Sequence, residues 1–113
     1  WPYKNKPEMQ QKLEEEFFKA SKLNNLRMIP AGQAFLYINQ NFPNINLYTK
    51  DLRHPSKEGT YLAALMIFAS LSNKSPIGNT YIMDLDLEVA ETLQKVAWMT
   101  YKDFQTRIMN SGL

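Results

Sequence analysis

The sequence contains no cysteine and a single histidine, His54, among its 113 residues. The absence of cysteine excludes disulfide bonds, cysteine-based zinc sites and thiol catalysis, and one histidine argues against a histidine-rich metal site. We therefore expect neither a metal ion nor any other cofactor. The lack of cysteine leaves the compartment open, because oxidising and reducing compartments both contain cysteine-free proteins.

The sequence also lacks a strong charge of either sign and any long apolar run. Thirteen Lys and Arg residues stand against eleven Asp and Glu residues, and no Lys/Arg run is longer than a pair, which argues against a nucleic-acid partner. The longest apolar stretch, residues 61–69, is far shorter than the roughly 20 residues of a membrane helix, so we expect no membrane span. The chain begins at Trp1 with no visible signal peptide, and we expect it to be either a processed product or part of a longer protein.

Apolar residues recur at helical spacing in four segments. The predicted helices cover residues 8–24, 32–42, 57–72 and 86–110. In the first, one apolar stripe is expected to face the core, formed by Met9, Leu13, Phe17, Ala20 and Leu23. The segments form a single domain, or part of one, over residues 1–113.

Local signals mark the ends of these segments. Asparagines 24 and 25 suit a left-handed helix C-cap, Ser56 can cap the third helix, and Asn110 with Gly112 can end the fourth. Residues 26–30, "LRMIP", are too short for a helix and are predicted to form one short strand.

The third predicted helix, residues 57–72, has apolar residues all round between positions 61 and 69. A helix without a polar face is buried on most sides, and four helices offer it few neighbours. We therefore expect its free side to be covered by an N-terminal segment outside this chain or by another subunit, which includes a homo-oligomer.

The stretch "DLRHPSKEG" places Asp51 three residues before His54 in a loop bounded by prolines. In serine hydrolases a histidine takes the proton of the serine hydroxyl and an aspartate orients the imidazole, and a tight turn can bring residues three apart within reach. The alternative is a capped turn with a solvated histidine. Arg53 is a weaker candidate for binding an anionic substrate group, and a surface arginine is the favoured alternative.

The segment "LYTKDLRHPSKEGTYLAALMIFASLSNKSPIG" resembles the last sequence block of the SGNH, or GDSL-type, hydrolases, which reads D-x-x-H-P-S/N-x-x-G. The preceding "MQQKLEEEFFKASKLNNLRMIPAGQAF" resembles the helix, strand and P-x-G-x-A segment of that family. The resemblance implies a C-terminal part of a three-layer α/β/α fold, with Asp51 and His54 as catalytic acid and base. It also implies hydrolysis of an ester or an acylated carbohydrate, and such enzymes often work outside the cytoplasm, in the periplasm or after secretion.

The family's G-D-S nucleophile segment and its G-x-N-D stretch are both missing. The chain alone is therefore expected to be inactive, and to supply Asp51 and His54 to a serine located elsewhere. Three readings stay open: this part of a serine esterase, a non-catalytic helical interaction module or degenerate remnant, and a stand-alone helical bundle in which His54 is incidental.

Overall fold

The structure, a computed structural model, describes residues 1–111. It consists of four α-helices: α1 (Met9–Asn24), α2 (Ala31–Asn41), α3 (Lys57–Ser72) and α4 (Leu87–Ser111). The helix positions predicted from the sequence are thus confirmed to within a residue or two, while Gly112, predicted to end the last helix, lies outside the described residues. None of these four helices is both long and apolar enough to cross a bilayer.

The prediction of an α/β fold is wrong. Residues 1–111 contain no strand or sheet, and the only strand-like pairing among them is one isolated bridge between Tyr48 and Pro55. The prediction that residues 26–30 form no helix is confirmed, but the strand predicted for them is absent. A strand requires a neighbour for its backbone N–H and C=O groups, and the described chain offers none beside this segment. The domain is all-helical.

The core lies where α2, α3 and α4 pack against one another. Its largest fully buried side chains include Phe35 of α2, Leu62 and Met66 of α3, and Leu93 of α4. Tyr48, from the loop between α2 and α3, is also buried in this cluster. The loop that carries the candidate site is therefore attached to the core through its own side chains.

α1 lies at the periphery. Its predicted inner stripe is largely exposed, since Phe17, Ala20 and Leu23 all face solvent. Instead, two contacts join α1 to α4. Glu14 forms an ion pair with Arg107, and the ring centroids of Phe18 and Phe104 lie 6.1 Å apart. α1 ends as predicted, with Asn25 in the left-handed conformation (φ 51°) and its N–H donated to Ser21 O.

Only one side of α3 is buried. Leu62, Leu65 and Met66 face the core, whereas Ile67, Phe68 and Leu71 are 47, 41 and 64% exposed. The predicted all-round burial therefore does not occur within residues 1–111, and α3 keeps an open apolar face. The expectation that something covers this face stays a prediction.

Candidate acid–base site

The loop before α3 reverses direction between Tyr48 and Pro55, and this turn holds Asp51 and His54. Thr49 N donates to His54 O at 2.8 Å, and Leu52 N donates to Thr49 O at 3.0 Å. Leu52 adopts a left-handed conformation with φ 63°, which lets the chain turn sharply inside these hydrogen bonds. The turn brings the two side chains together.

Asp51 accepts hydrogen bonds on both carboxylate oxygens. Its Oδ1 accepts from Thr49 Oγ1 at 2.7 Å and from the backbone N–H groups of Arg53 and His54 at 2.9 and 3.0 Å. Its Oδ2 contacts Nδ1 of the His54 ring. The hydrogen bond from the imidazole, followed by those from the backbone N–H groups and the Thr49 hydroxyl, holds the pKa of Asp51 well below its ordinary value.

The charge on Asp51 sets the state of the His54 ring. A carboxylate can only accept hydrogen bonds, so Nδ1 must carry the proton, and in the neutral ring Nε2 then has the free lone pair. The His54 side chain is 78% exposed, and no hydrogen bond of the described residues involves Nε2. The site therefore presents an oriented imidazole with an open basic nitrogen.

The N-terminal segment holds this turn from the outside. The Trp1 indole N–H donates to Arg53 O at 2.9 Å, and Lys4 N donates to Leu52 O at 2.9 Å. The indole also stacks on Phe35 with the ring centroids 4.6 Å apart and the planes 3° from parallel. The spacing of apolar residues assigns no element to residues 1–6, and the large aromatic side chain of Trp1 was the available signal that this segment packs on the core.

α3 anchors the turn from the other side. The Ser56 hydroxyl accepts from Gly59 N at 3.1 Å and donates to Asn46 O at 2.7 Å. Ser56 is thus the helix cap that the sequence predicts, and its hydroxyl is bonded to Asn46 and Gly59. Gly59 is buried against the Leu47 carbonyl, which lies 2.1 Å from where a Cβ at position 59 would be. Only glycine allows α3 to approach the loop this closely.

Arg53 lies next to the pair, but its guanidinium is placed over the Tyr3 ring, 4.9 Å from the centroid. This cation–π contact leaves the guanidinium available at the surface, so the substrate-binding role predicted for it stays a prediction. The structure thus brings Asp51 and His54 together and holds Arg53 on a neighbouring aromatic ring. No three His, Asp or Glu side chains among the described residues form a group that could hold a metal ion.

Comparison with known proteins adds no relative to this picture: no protein-family model, no curated protein and no solved structure matches the chain. Any functional argument must therefore be made from the residues and their geometry.

Proposed function

We propose that this chain supplies the acid–base pair of a serine ester hydrolase, with Asp51 and His54 acting on a serine outside residues 1–111. The observation that carries the proposal is the Asp51–His54 pair itself, in which a charged carboxylate fixes the imidazole and leaves Nε2 open. The resemblance of "DLRHPSKEG" to the Asp–His block of SGNH hydrolases supports it. The proposal does not extend to that family's three-layer fold.

In this mechanism His54 Nε2 accepts the proton of the serine hydroxyl as its oxygen attacks the ester carbonyl. The imidazolium that forms donates through Nδ1 to Asp51 Oδ2, so the carboxylate stabilises the new positive charge. Nε2 then returns the proton to the leaving alkoxide, and the acyl group stays on the serine until water repeats the cycle. An ester or acylated carbohydrate is the proposed substrate, and Arg53 is the group proposed to meet an anion on it.

The turn's own supports also suit this role. Thr49, Arg53 and His54 hold Asp51 Oδ1 in place without using Oδ2, so the second oxygen is left for the imidazole. Pre-positioned groups of this kind contribute to catalysis because they need no rearrangement as charge develops. In this proposal the chain supplies neither the serine nor an oxyanion hole. We therefore expect the isolated 113-residue chain to hydrolyse no ester.

The first experiment uses the full-length product of the gene that encodes this chain. A fluorophosphonate probe should label one serine outside the chain. The His54→Ala variant should lose most of the turnover of p-nitrophenyl acetate. Asp51→Asn should lose up to about 10⁴-fold. Asp84→Asn, at an exposed aspartate outside the turn, is the matched control and should keep full activity. An unlabelled protein, or full turnover in folded His54→Ala, would exclude this function.

A second experiment needs only the 113-residue chain. Nitrogen-15 NMR of the neutral His54 ring should show the proton on Nδ1 in the wild type. Asp51→Ala should shift the ring toward the Nε2–H tautomer, because the acceptor that holds the Nδ1 proton is gone. If the tautomer is the same in both proteins, the carboxylate does not orient the imidazole and the catalytic reading fails.

The open face of α3 favours a second candidate, a helical interaction module without catalysis. Ile67, Phe68 and Leu71 project from a helix that carries no charged residue between Glu58 and Lys74. A partner there would be an apolar protein surface, from a longer version of this chain or from another subunit, including a second copy. Exposed patches of this kind mark interaction sites.

Light scattering and ANS fluorescence of the isolated chain test this candidate. Self-association or strong ANS binding that falls in Phe68→Gln, with Lys95→Gln as control, would support it. A monodisperse monomer that does not bind ANS would exclude it. Fluorophosphonate labelling distinguishes the two candidates, because only the hydrolase requires a reactive serine in the full-length protein.

A further inference from the structure

A cleft of about 450 Å³ opens between the end of α1 and the second half of α4. Its apolar walls include Phe18, Met28, Phe104 and Ile108. Phe104 is 2% exposed and its ring meets that of Phe18, so this side of the cleft belongs to the packed interior. The volume lies within the range of about 300–1,000 Å³ that is usual for small-molecule sites.

The polar part of this cleft is cationic. Lys22 and Arg27 both line it, and none of its lining residues is an aspartate or glutamate. Neither cation forms an ion pair with a carboxylate in the described part of the chain. Arg27 Nη1 donates to Ser70 O at 3.1 Å, which ties the guanidinium to the end of α3 while its other N–H groups remain for a ligand.

The negative end of the α1 dipole would oppose an anion here, but the nearby carbonyls are already occupied. Asn24 Nδ2 donates to Ala20 O at 2.9 Å, and both Asn25 N and Leu26 N donate to Ser21 O. These hydrogen bonds reduce the partial negative charge that faces the cleft. The two full positive charges of Lys22 and Arg27 therefore determine the sign of the ligand.

From this combination we propose that the cleft binds a single-chain amphipathic carboxylate, a fatty acid of medium chain length. Its alkyl chain lies against Phe18, Phe104 and Ile108, and its carboxylate lies between Lys22 and Arg27. The site shares no residue with the Asp51–His54 turn, and the proposal does not rest on the hydrolase function.

The test is an NMR titration of the 113-residue chain with decanoate below its micelle concentration. Decanoate should shift the backbone amides of residues 22–28 and 104–108 saturably, whereas decyltrimethylammonium, of the same chain length and opposite charge, should not. Affinity should rise by up to about fourfold per methylene from hexanoate to decanoate, the factor that corresponds to ~0.8 kcal/mol per buried CH₂. Equal shifts from both amphiphiles would overturn the proposal, as would the absence of shifts or shifts confined to the open face of α3.

Three surface variants test the role of charge in the cleft. Arg27→Gln and Lys22→Gln should each weaken decanoate binding by roughly threefold to tenfold, as expected for loss of one charge-assisted contact. Leu26→Glu, at an exposed residue lining the cleft, should weaken it further because it adds a negative charge. Lys95→Gln removes a charge elsewhere and should leave the affinity unchanged. If all four proteins bind decanoate equally well, the cleft is not the site.

Discussion

Replacing Gly59 by alanine tests how closely α3 must approach the loop that carries Asp51 and His54. An added Cβ would lie 2.1 Å from the Leu47 carbonyl oxygen and 3.1 Å from the Pro55 Cβ. Non-bonded heavy atoms normally rest about 3.5–4.0 Å apart, so α3 and the loop would have to separate by roughly 1.5 Å. The nearest obstacle is the backbone carbonyl of Leu47, which cannot rotate away as a flexible side chain can.

The expected loss of stability follows from three contributions. Overpacking of a tight interior contact costs about 1–3 kcal/mol. The displaced Leu47 carbonyl also accepts from Ser56 N at 2.8 Å, and weakening that hydrogen bond costs about 1 kcal/mol. Alanine in place of glycine within a helix returns about 1 kcal/mol. We therefore expect Gly59→Ala to lower the free energy of unfolding by about 1–3 kcal/mol.

Urea unfolding followed by circular dichroism measures this change, and in a thermal scan it corresponds to a fall of about 10 °C in Tm for a domain of this size. Thr60→Ala is the matched control, because position 60 is exposed on the same helix. This variant should be slightly more stable than the wild type, since alanine has the higher helix propensity. If Gly59→Ala is as stable as Thr60→Ala, the close approach of α3 to Leu47 is not real.

Three further predictions concern the same turn. Ser56→Ala should destabilise the protein by about 1–2 kcal/mol in urea unfolding, because α3 loses its cap, whereas Ser75→Ala should change little; equal effects would contradict the cap. Trp1→Ala should cost about 1–2 kcal/mol through the lost stacking and indole hydrogen bond, with Tyr81→Ala as an exposed aromatic control that should be neutral. Because the pKa of Asp51 is lowered in the folded state, its stabilising contribution is complete above the unfolded value of about 3.9 and is lost as the pH falls from that value through the folded pKa. The difference in unfolding free energy between wild type and Asp51→Asn should therefore stay constant from about pH 7 to about pH 5 and shrink below about pH 4, and a difference that stays constant down to about pH 2 would contradict the shift.

Helix positions could be predicted because their signals are local. Ser56 caps its own helix three residues on, and Asn25 ends α1 in the left-handed conformation that asparagine tolerates. The Asp51–His54 contact could be predicted for the same reason, since a turn of six residues closes it. None of these features depends on a distant part of the chain.

The features that sequence reasoning missed all depend on distant contacts. The strand expected at residues 26–30 needed a neighbouring strand that residues 1–111 do not provide, and local apolar character cannot reveal that absence. The role of Trp1 depends on Phe35 and Arg53, which are far along the chain. Likewise, α3 is apolar all round, yet that pattern did not show that one side would stay open.

The turn and the acid–base pair are built from different parts of the same residues. His54 holds the turn through its backbone, donating its N–H to Asp51 Oδ1 and accepting from Thr49 N, while its imidazole lies at the surface and meets only Asp51 Oδ2. Truncation of His54 to alanine therefore removes the imidazole and its hydrogen bond to Asp51 Oδ2 but leaves the backbone hydrogen bonds of the turn in place. Asp51 serves both purposes at once, so its replacement mixes a structural effect with a chemical one. His54→Ala thus separates the two readings of this loop: a capped turn would be unaffected by it, and a proton-transfer site would be lost.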